Sequence, residues 1–159
     1  MLVGLCAFLT ALVVGTFVEY WGHRFMHGGL LRKRHARHHQ EGTGQGWLLE
    51  FKDYFLGTFI VLPAGFLIST EAGIGFLAGG LFYTFWAAYS HQLQHEKPEL
   101  CFWIARPVHY LHHHNHMWHH NFGISTDLWD HVFRTYKKVE WAPERKPRTL
   151  WSWFQIKWI

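Results

Sequence analysis

The amino-acid sequence predicts an all-α protein: an integral membrane helical bundle of about three spanning helices, carrying a cytoplasmic, histidine-rich helical cap. Three observations lead there. Long apolar stretches almost free of charge recur along the chain, the basic residues fall on one side of them, and 15 histidines in 159 residues stand in ordered clusters. The length suits a single domain over residues 1–159.

The first element is a spanning helix at about residues 2–22. Residues 2–20 carry one charge, Glu19, and the stretch lacks both a basic leading region and a small-residue cleavage site. It therefore reads as a retained span that runs directly into the first histidine pair. Two further spans are expected at about 54–70 and 72–92, since 54–70 and 72–90 hold no charged residue at all. About 20 apolar residues cover the hydrocarbon core, with roughly 17–25 workable. Segment 54–70 is short and carries Pro63. Gly75, Gly79 and Gly80 on the third span suit close helix packing. With 49% hydrophobic and 19% aromatic residues, the composition is too apolar for a soluble domain of this size.

The connection between the second and third spans is expected at about Thr70–Gly73, without lysine or arginine; all 15 basic residues lie on the other side. Lysine and arginine mark the cytoplasmic face. Residues 23–45 and 91–137 then form a cap on that face, and 138–159, rich in Trp and basic residues, an interfacial tail. The protein is expected to be multi-pass, with its histidine clusters on the cytoplasmic side.

The histidines follow a pattern. His23 and His27 form H-x3-H, His35, His38 and His39 form H-x2-H-H, and both spacings recur as His91/His95 and His109/His112/His113. Residues at i, i+3 and i+4 share a helix face, so each motif is expected to aim its imidazoles together. Imidazole suits iron, copper, zinc and nickel. Ten such histidines are too many for a closed tetrahedral zinc site and fit two metals with positions left open. His116, His119 and His120 repeat the H-x2-H-H spacing, with His116 on the same helical stripe as His109, and are possible additional ligands. His114 lies off that stripe, and His131 stands alone. Glu19 falls one helical turn before His23, where a carboxylate can orient a ligand imidazole; Asp127 and Asp130 are similar candidates.

Other classes find little support. Cys6 and Cys101 form no metal or disulfide framework. A net charge of +4 without an aromatic-interleaved basic stripe argues against nucleic acid. A metal transporter would need polar residues in mid-membrane, and spans 54–70 and 72–90 hold no His, Asp, Glu or Cys. That leaves non-catalytic metal binding or transport as the competing class.

The series HRFMH, HARHH, an apolar hairpin, HQLQH, HYLHH and NFGISTDLWD (Asn121–Asp130) resembles the fatty acid hydroxylase/sterol desaturase superfamily of membrane di-iron enzymes, over about residues 19–137. The resemblance implies His23, His27, His35, His38, His39, His91, His95, His109, His112 and His113 as ligands to two iron ions, with O2 as co-substrate. It implies hydroxylation or desaturation of a lipid C–H bond, on a fatty acyl or sterol-like substrate drawn from the bilayer. The short chain is also similar to carotenoid hydroxylases on the same scaffold. Arg134 departs from the family, which commonly has Gly there in a Phe-Gly-Thr step; this bears on the local turn, not on the histidines. The chain carries no haem motif, iron–sulfur cysteines or nucleotide loop, so an external electron donor, ferredoxin or cytochrome b5-like, is implied. The basic run Arg32–Arg37 is a candidate docking point for it.

Overall fold

Residues 2–26 hold no proline, and they run as one helix, α1 (Leu2–Met26), of 25 residues. The computed structural model describes residues 1–143 and 148–159. After α1 come α2 (Arg32–Glu41), α3 (Trp47–Thr58), α4 (Thr70–Glu96), α5 (Val108–His114) and α6 (Leu128–Val132), with short 3₁₀ turns between them. No strand occurs among the described residues.

Local chemistry sets the helix limits. Ser69 opens α4, its hydroxyl accepting the N–H of Ala72 at 3.1 Å, which satisfies one of the donors a helix start leaves free. Gly42 closes α2 in the left-handed region (φ 64°), with its N–H donated to His38, a termination that glycine adopts without side-chain strain. Pro63 has the opposite effect. A proline inside a helix removes an N–H and crowds the preceding turn, and residues 54–70 are not one spanning helix: α3 stops at Thr58 and a 3₁₀ run, Leu62–Leu67, follows. The expected turn at Thr70–Gly73 is likewise the first turn of α4, and the chain reverses just before it, at Ile68 and Ser69.

Helices α1 and α4 lie side by side and parallel. Gly4 meets Gly75, Phe8 meets Gly79 and Gly15 meets Tyr83, so the contacts advance in step along both helices. A Cβ at Gly75 would run into the Gly4 carbonyl, and one at Gly79 into the Phe8 carbonyl. Small residues let the two backbones approach this closely. The α3 arm and its 3₁₀ continuation pack back along α4 in the reverse direction.

At about 1.5 Å per residue, α1 and α4 are both long and apolar enough to cross a membrane. Only 17% of the most apolar stretch of α1 is buried, against 44% for α4. Leu5, Leu9 and Val13 of α1 and Ile74, Phe82 and Phe85 of α4 face outward, an exposed apolar surface of the kind that marks contact with a membrane or a partner.

The described part of the expected interfacial tail does more than lie on a surface. The carbonyls of Lys157 and Trp158 accept the N–H groups of Trp47 and Leu48 at 2.8 and 2.9 Å, capping the start of α3. Ile156 is buried with Leu93, Leu100 and Cys101, and Tyr89 donates to the Trp153 carbonyl at 2.9 Å. Trp151 and Phe154 stay exposed. Residues 144–147 of the tail lie outside the described residues.

Candidate metal centre

Four helical segments bring imidazoles to one end of the bundle. His23 lies near the end of α1 and His27 caps it; α2 supplies His35, His38 and His39; α4 supplies His91 and His95; α5 supplies His109, His112 and His113. The side chains sort into two groups. Ring nitrogens of His23, His27, His35, His39 and His112 all lie within 4.8 Å of one another, and so do those of His38, His95, His109 and His113. His91 stands beside the second group, its ring centroid 4.4 Å from that of His109 and 4.7 Å from that of His95.

The H-x2-H-H motifs do not aim three imidazoles at one point, as their spacing suggested. Each motif feeds both groups. His35 and His39 enter the first while His38 enters the second; His112 enters the first while His109 and His113 enter the second. Helical geometry explains the division: residues four apart share a face, whereas adjacent residues diverge by about 100°. The H-x3-H pairs stay together, His23 with His27 and His91 with His95.

The nitrogens meet at distances with no ordinary partner between them. His27 Nε2 lies 3.0 Å from His35 Nε2, 3.1 Å from His112 Nε2 and 3.4 Å from His23 Nε2; His39 Nε2 lies 3.1 Å from both His35 and His112. A neutral imidazole has one N–H and one lone pair. His23 donates from Nδ1 to the Phe122 carbonyl (2.7 Å), and His112 donates from Nδ1 to the His120 carbonyl (2.6 Å). Their Nε2 atoms therefore carry lone pairs, and these point into the same space as the other Nε2 atoms of the group. In the second group both nitrogens of His113 and Nδ1 of His109 are buried without a hydrogen-bond partner. Converging lone pairs repel unless a cation lies among them, so the donor set fits a metal ion in each group.

Protonation does not offer an alternative. Burial and the neighbouring imidazoles hold His27 down to about 3, His35 to about 2, His38 to about 3 and His39 to about 4. Burial likewise holds His109, His112 and His113 well below the usual histidine range. These buried imidazoles are thereby held in the neutral form, which binds metal.

Around the rings sits a layer of orienting groups. Glu50, on α3, places a carboxylate oxygen 3.1 Å from His91 Nδ1, with both side chains buried. Sequence reasoning missed it; the available signal was one acidic residue in the apolar run Trp47–Phe51. His95 Nδ1 lies 3.1 Å from the Gly42 carbonyl. Gln94 accepts the N–H of His109 at 3.0 Å, holding the first turn of α5.

Glu19 acts at one remove from the position expected for it. Its carboxylate accepts the N–H groups of Ile124 (3.0 Å) and Ser125 (2.9 Å) and the Tyr83 hydroxyl (2.7 Å). Asp130 accepts the N–H groups of Phe122 (2.8 Å) and Gly123 (2.7 Å) and the Thr135 hydroxyl (2.7 Å). Two buried carboxylates thus clamp the loop 121–125, and that loop presents the carbonyl that orients His23. Asp127 does not join this layer; it pairs with His131 at 3.4 Å, away from the cluster.

The remaining histidines stand outside the two groups, with His119 near His27 and His116 near His39. Helix α5 ends at His114, so His116 is not on a continued stripe; the chain turns there through a left-handed residue (His116, φ 49°). His116 and His119 are exposed, and His120 contributes its backbone carbonyl. His114 is exposed and stacks on Tyr110. Arg134, where glycine was expected, adopts the left-handed conformation itself (φ 56°) and the turn forms, with the Thr135 N–H donated to Asp130 O at 2.8 Å.

Neither the curated proteins nor the solved structures compared with the chain give a match. A family model described as fatty acid hydroxylase matches residues 8–135, which takes in both histidine groups and the clamped loop. On that match, and on the motif series it spans, the chain belongs to the fatty acid hydroxylase family.

Proposed function

We propose that this protein is a multi-pass membrane enzyme, a single domain over residues 1–159, that hydroxylates or desaturates a C–H bond of a fatty acyl or sterol-like lipid. Family membership makes it an oxidoreductase, and the two histidine groups suit metal binding. The finer reading assigns the metals as two iron ions. His23, His27, His35, His39 and His112 would hold one; His38, His95, His109 and His113, with His91 beside them, would hold the other. When bound, the iron pair supplies the reduction of O2 and the oxidising strength an unactivated C–H bond requires.

The chain's own residues supply orientation and exclusion of water. The Phe122 and His120 carbonyls fix the Nδ1 protons of His23 and His112 and leave Nε2 free to ligate, the usual role of groups behind a metal-bound histidine. Glu50 stands 3.1 Å from His91 Nδ1 and would place its charge behind that ring. His23, His109 and His112 are buried to within 1%, so the inner side of the centre is closed to bulk water.

Helices α1 and α4, with the broken arm of α3 and its 3₁₀ run as a third crossing, support the multi-pass reading. The lysines and arginines among the described residues lie toward the histidine end or beyond it, so that end would face the cytoplasm. Substrate would then enter from the bilayer, and electrons from an external carrier on the aqueous side.

One observation carries the proposal: two separate groups of neutral imidazoles with converging lone pairs, in a chain of this family. The test is Mössbauer spectroscopy and metal analysis on protein purified anaerobically from cells grown on iron-57, followed by mass spectrometry of lipid products. Two coupled irons per chain that respond to reduction and O2 support it. A single tight zinc with no iron in active membranes would sink the di-iron mechanism.

A further inference from the structure

The first histidine group is covered on its outer side by one aromatic residue. The ring of Trp118 lies 4.3 Å from that of His27, 5.3 Å from that of His39 and 6.4 Å from that of His35. The indole is only half-buried, so it reaches from these imidazoles to the surface. Its backbone is anchored by its neighbours. Met117 is buried, its N–H donates to the His112 carbonyl at 2.8 Å, and Asn121 reaches its sulfur at 3.2 Å.

A cation stands over the outer end of this ring. The Arg32 guanidinium lies 5.9 Å from the Trp118 ring centroid, within cation–π range. Lys33 and Arg37 are exposed on the same short helix, whereas Arg34 is occupied by an ion pair with Asp53 at 2.5 Å. Arg32, Lys33 and Arg37 thus present exposed positive charge on α2, with Arg32 at the indole and none of the three in an ion pair among the described residues.

We propose that an acidic, one-electron carrier protein docks on the rim of Arg32, Lys33 and Arg37, and that its electrons pass to the first histidine group through the indole of Trp118. The proposal rests on the oxidoreductase reading above. Hydroxylation breaks a C–H bond, places one oxygen of O2 on the carbon and releases the other as water. That balance requires two electrons and two protons beyond the substrate, and the reduced carrier supplies the electrons singly, leaving oxidised each time. The indole replaces a water gap with a continuous path of packed rings, and the rim steers an anionic partner toward it.

The experiment uses the iron-loaded protein in detergent, with a chemically reduced, acidic plant-type ferredoxin as probe and dithionite as a carrier-independent reductant, both anaerobic. Ferredoxin reoxidation is followed by absorbance, and ferredoxin binding to the immobilised protein is measured separately. For the wild type, both signals should weaken with rising salt. The triple variant R32E/K33E/R37E should lose about tenfold in ferredoxin association and most of its salt dependence, with dithionite reduction and iron content unchanged. Trp118→Leu should bind ferredoxin at wild-type affinity yet accept its electrons about tenfold more slowly; Trp118→Phe, which keeps a ring there, should recover most of that rate.

Wild-type ferredoxin kinetics in the triple variant would overturn the docking site. So would a triple variant that instead loses binding to phosphatidylserine vesicles, which would assign the rim to the membrane surface. Equal loss of ferredoxin and dithionite reduction in both Trp118 variants would make the residue a packing element, not a relay. If the wild type holds no metal that dithionite can reduce, the underlying oxidoreductase reading fails, and the relay with it.

Discussion

His38 and His39 are neighbours in the chain, yet their imidazoles serve different groups: His39 stands with His27, His35 and His112, and His38 with His95, His109 and His113. The division makes α2 the shared wall of the two groups. It also makes the pair separable by substitution. His38→Asn and His39→Asn are each expected to abolish turnover while leaving the opposite group complete. Mössbauer spectra of the two variants should each retain one iron environment, and the retained environments should differ. Identical residual spectra would show that the groups do not bind independently.

Glu50 and His91 form a buried pair behind the second group. Glu50→Gln keeps the shape of the side chain and removes its charge. Orienting carboxylates of this kind are worth roughly 10–100-fold in metal affinity, and a loss in that range is expected on titrating stripped protein with Fe(II). Unchanged affinity would reduce the pair to a packing contact.

Glu19 satisfies the N–H groups of Ile124 and Ser125 together with the Tyr83 hydroxyl. Removing a partner from a buried polar group costs about 1–3 kcal/mol each. Glu19→Ala should therefore lower thermal stability in detergent severely, and loosen the loop that orients His23. Glu19→Gln retains an accepting oxygen for both N–H groups and should keep most of the stability. Equal melting of the two variants would contradict the clamp.

Arg134 holds a left-handed backbone conformation without being glycine. That conformation costs an L-residue about 1–2 kcal/mol, partly offset by the greater freedom glycine has when unfolded. Arg134→Gly is expected to stabilise the protein by up to about 1 kcal/mol, read as a higher melting temperature with iron content unchanged. A lower melting temperature would show that the arginine side chain contributes more than its backbone costs.

Much of this site was legible as spacing. An i, i+4 relation is a property of any α-helix, so His23/His27 and His91/His95 could be paired before any packing was known. The loop Asn121–Asp130 was legible as a motif but not as a mechanism. That its carboxylate at Asp130 holds the N–H groups of Phe122 and Gly123 depends on how the loop folds back. The broken arm at 54–70 was half legible: Pro63 stood in plain view, yet an unbroken apolar run outweighed it.

What the sequence determined by itself was therefore local: two long apolar helices, the positions of charge, and which histidines share a turn. Tertiary structure alone decided which turns face each other. The division of His38 from His39 requires two neighbouring targets facing α2, and these exist only because α1 and α4 lie parallel and close, at Gly75 and Gly79. Glu50 reaches His91 across a separation of 41 residues because α3 packs against α4. Helical periodicity acts within one element, whereas lone pairs converge only where several elements meet.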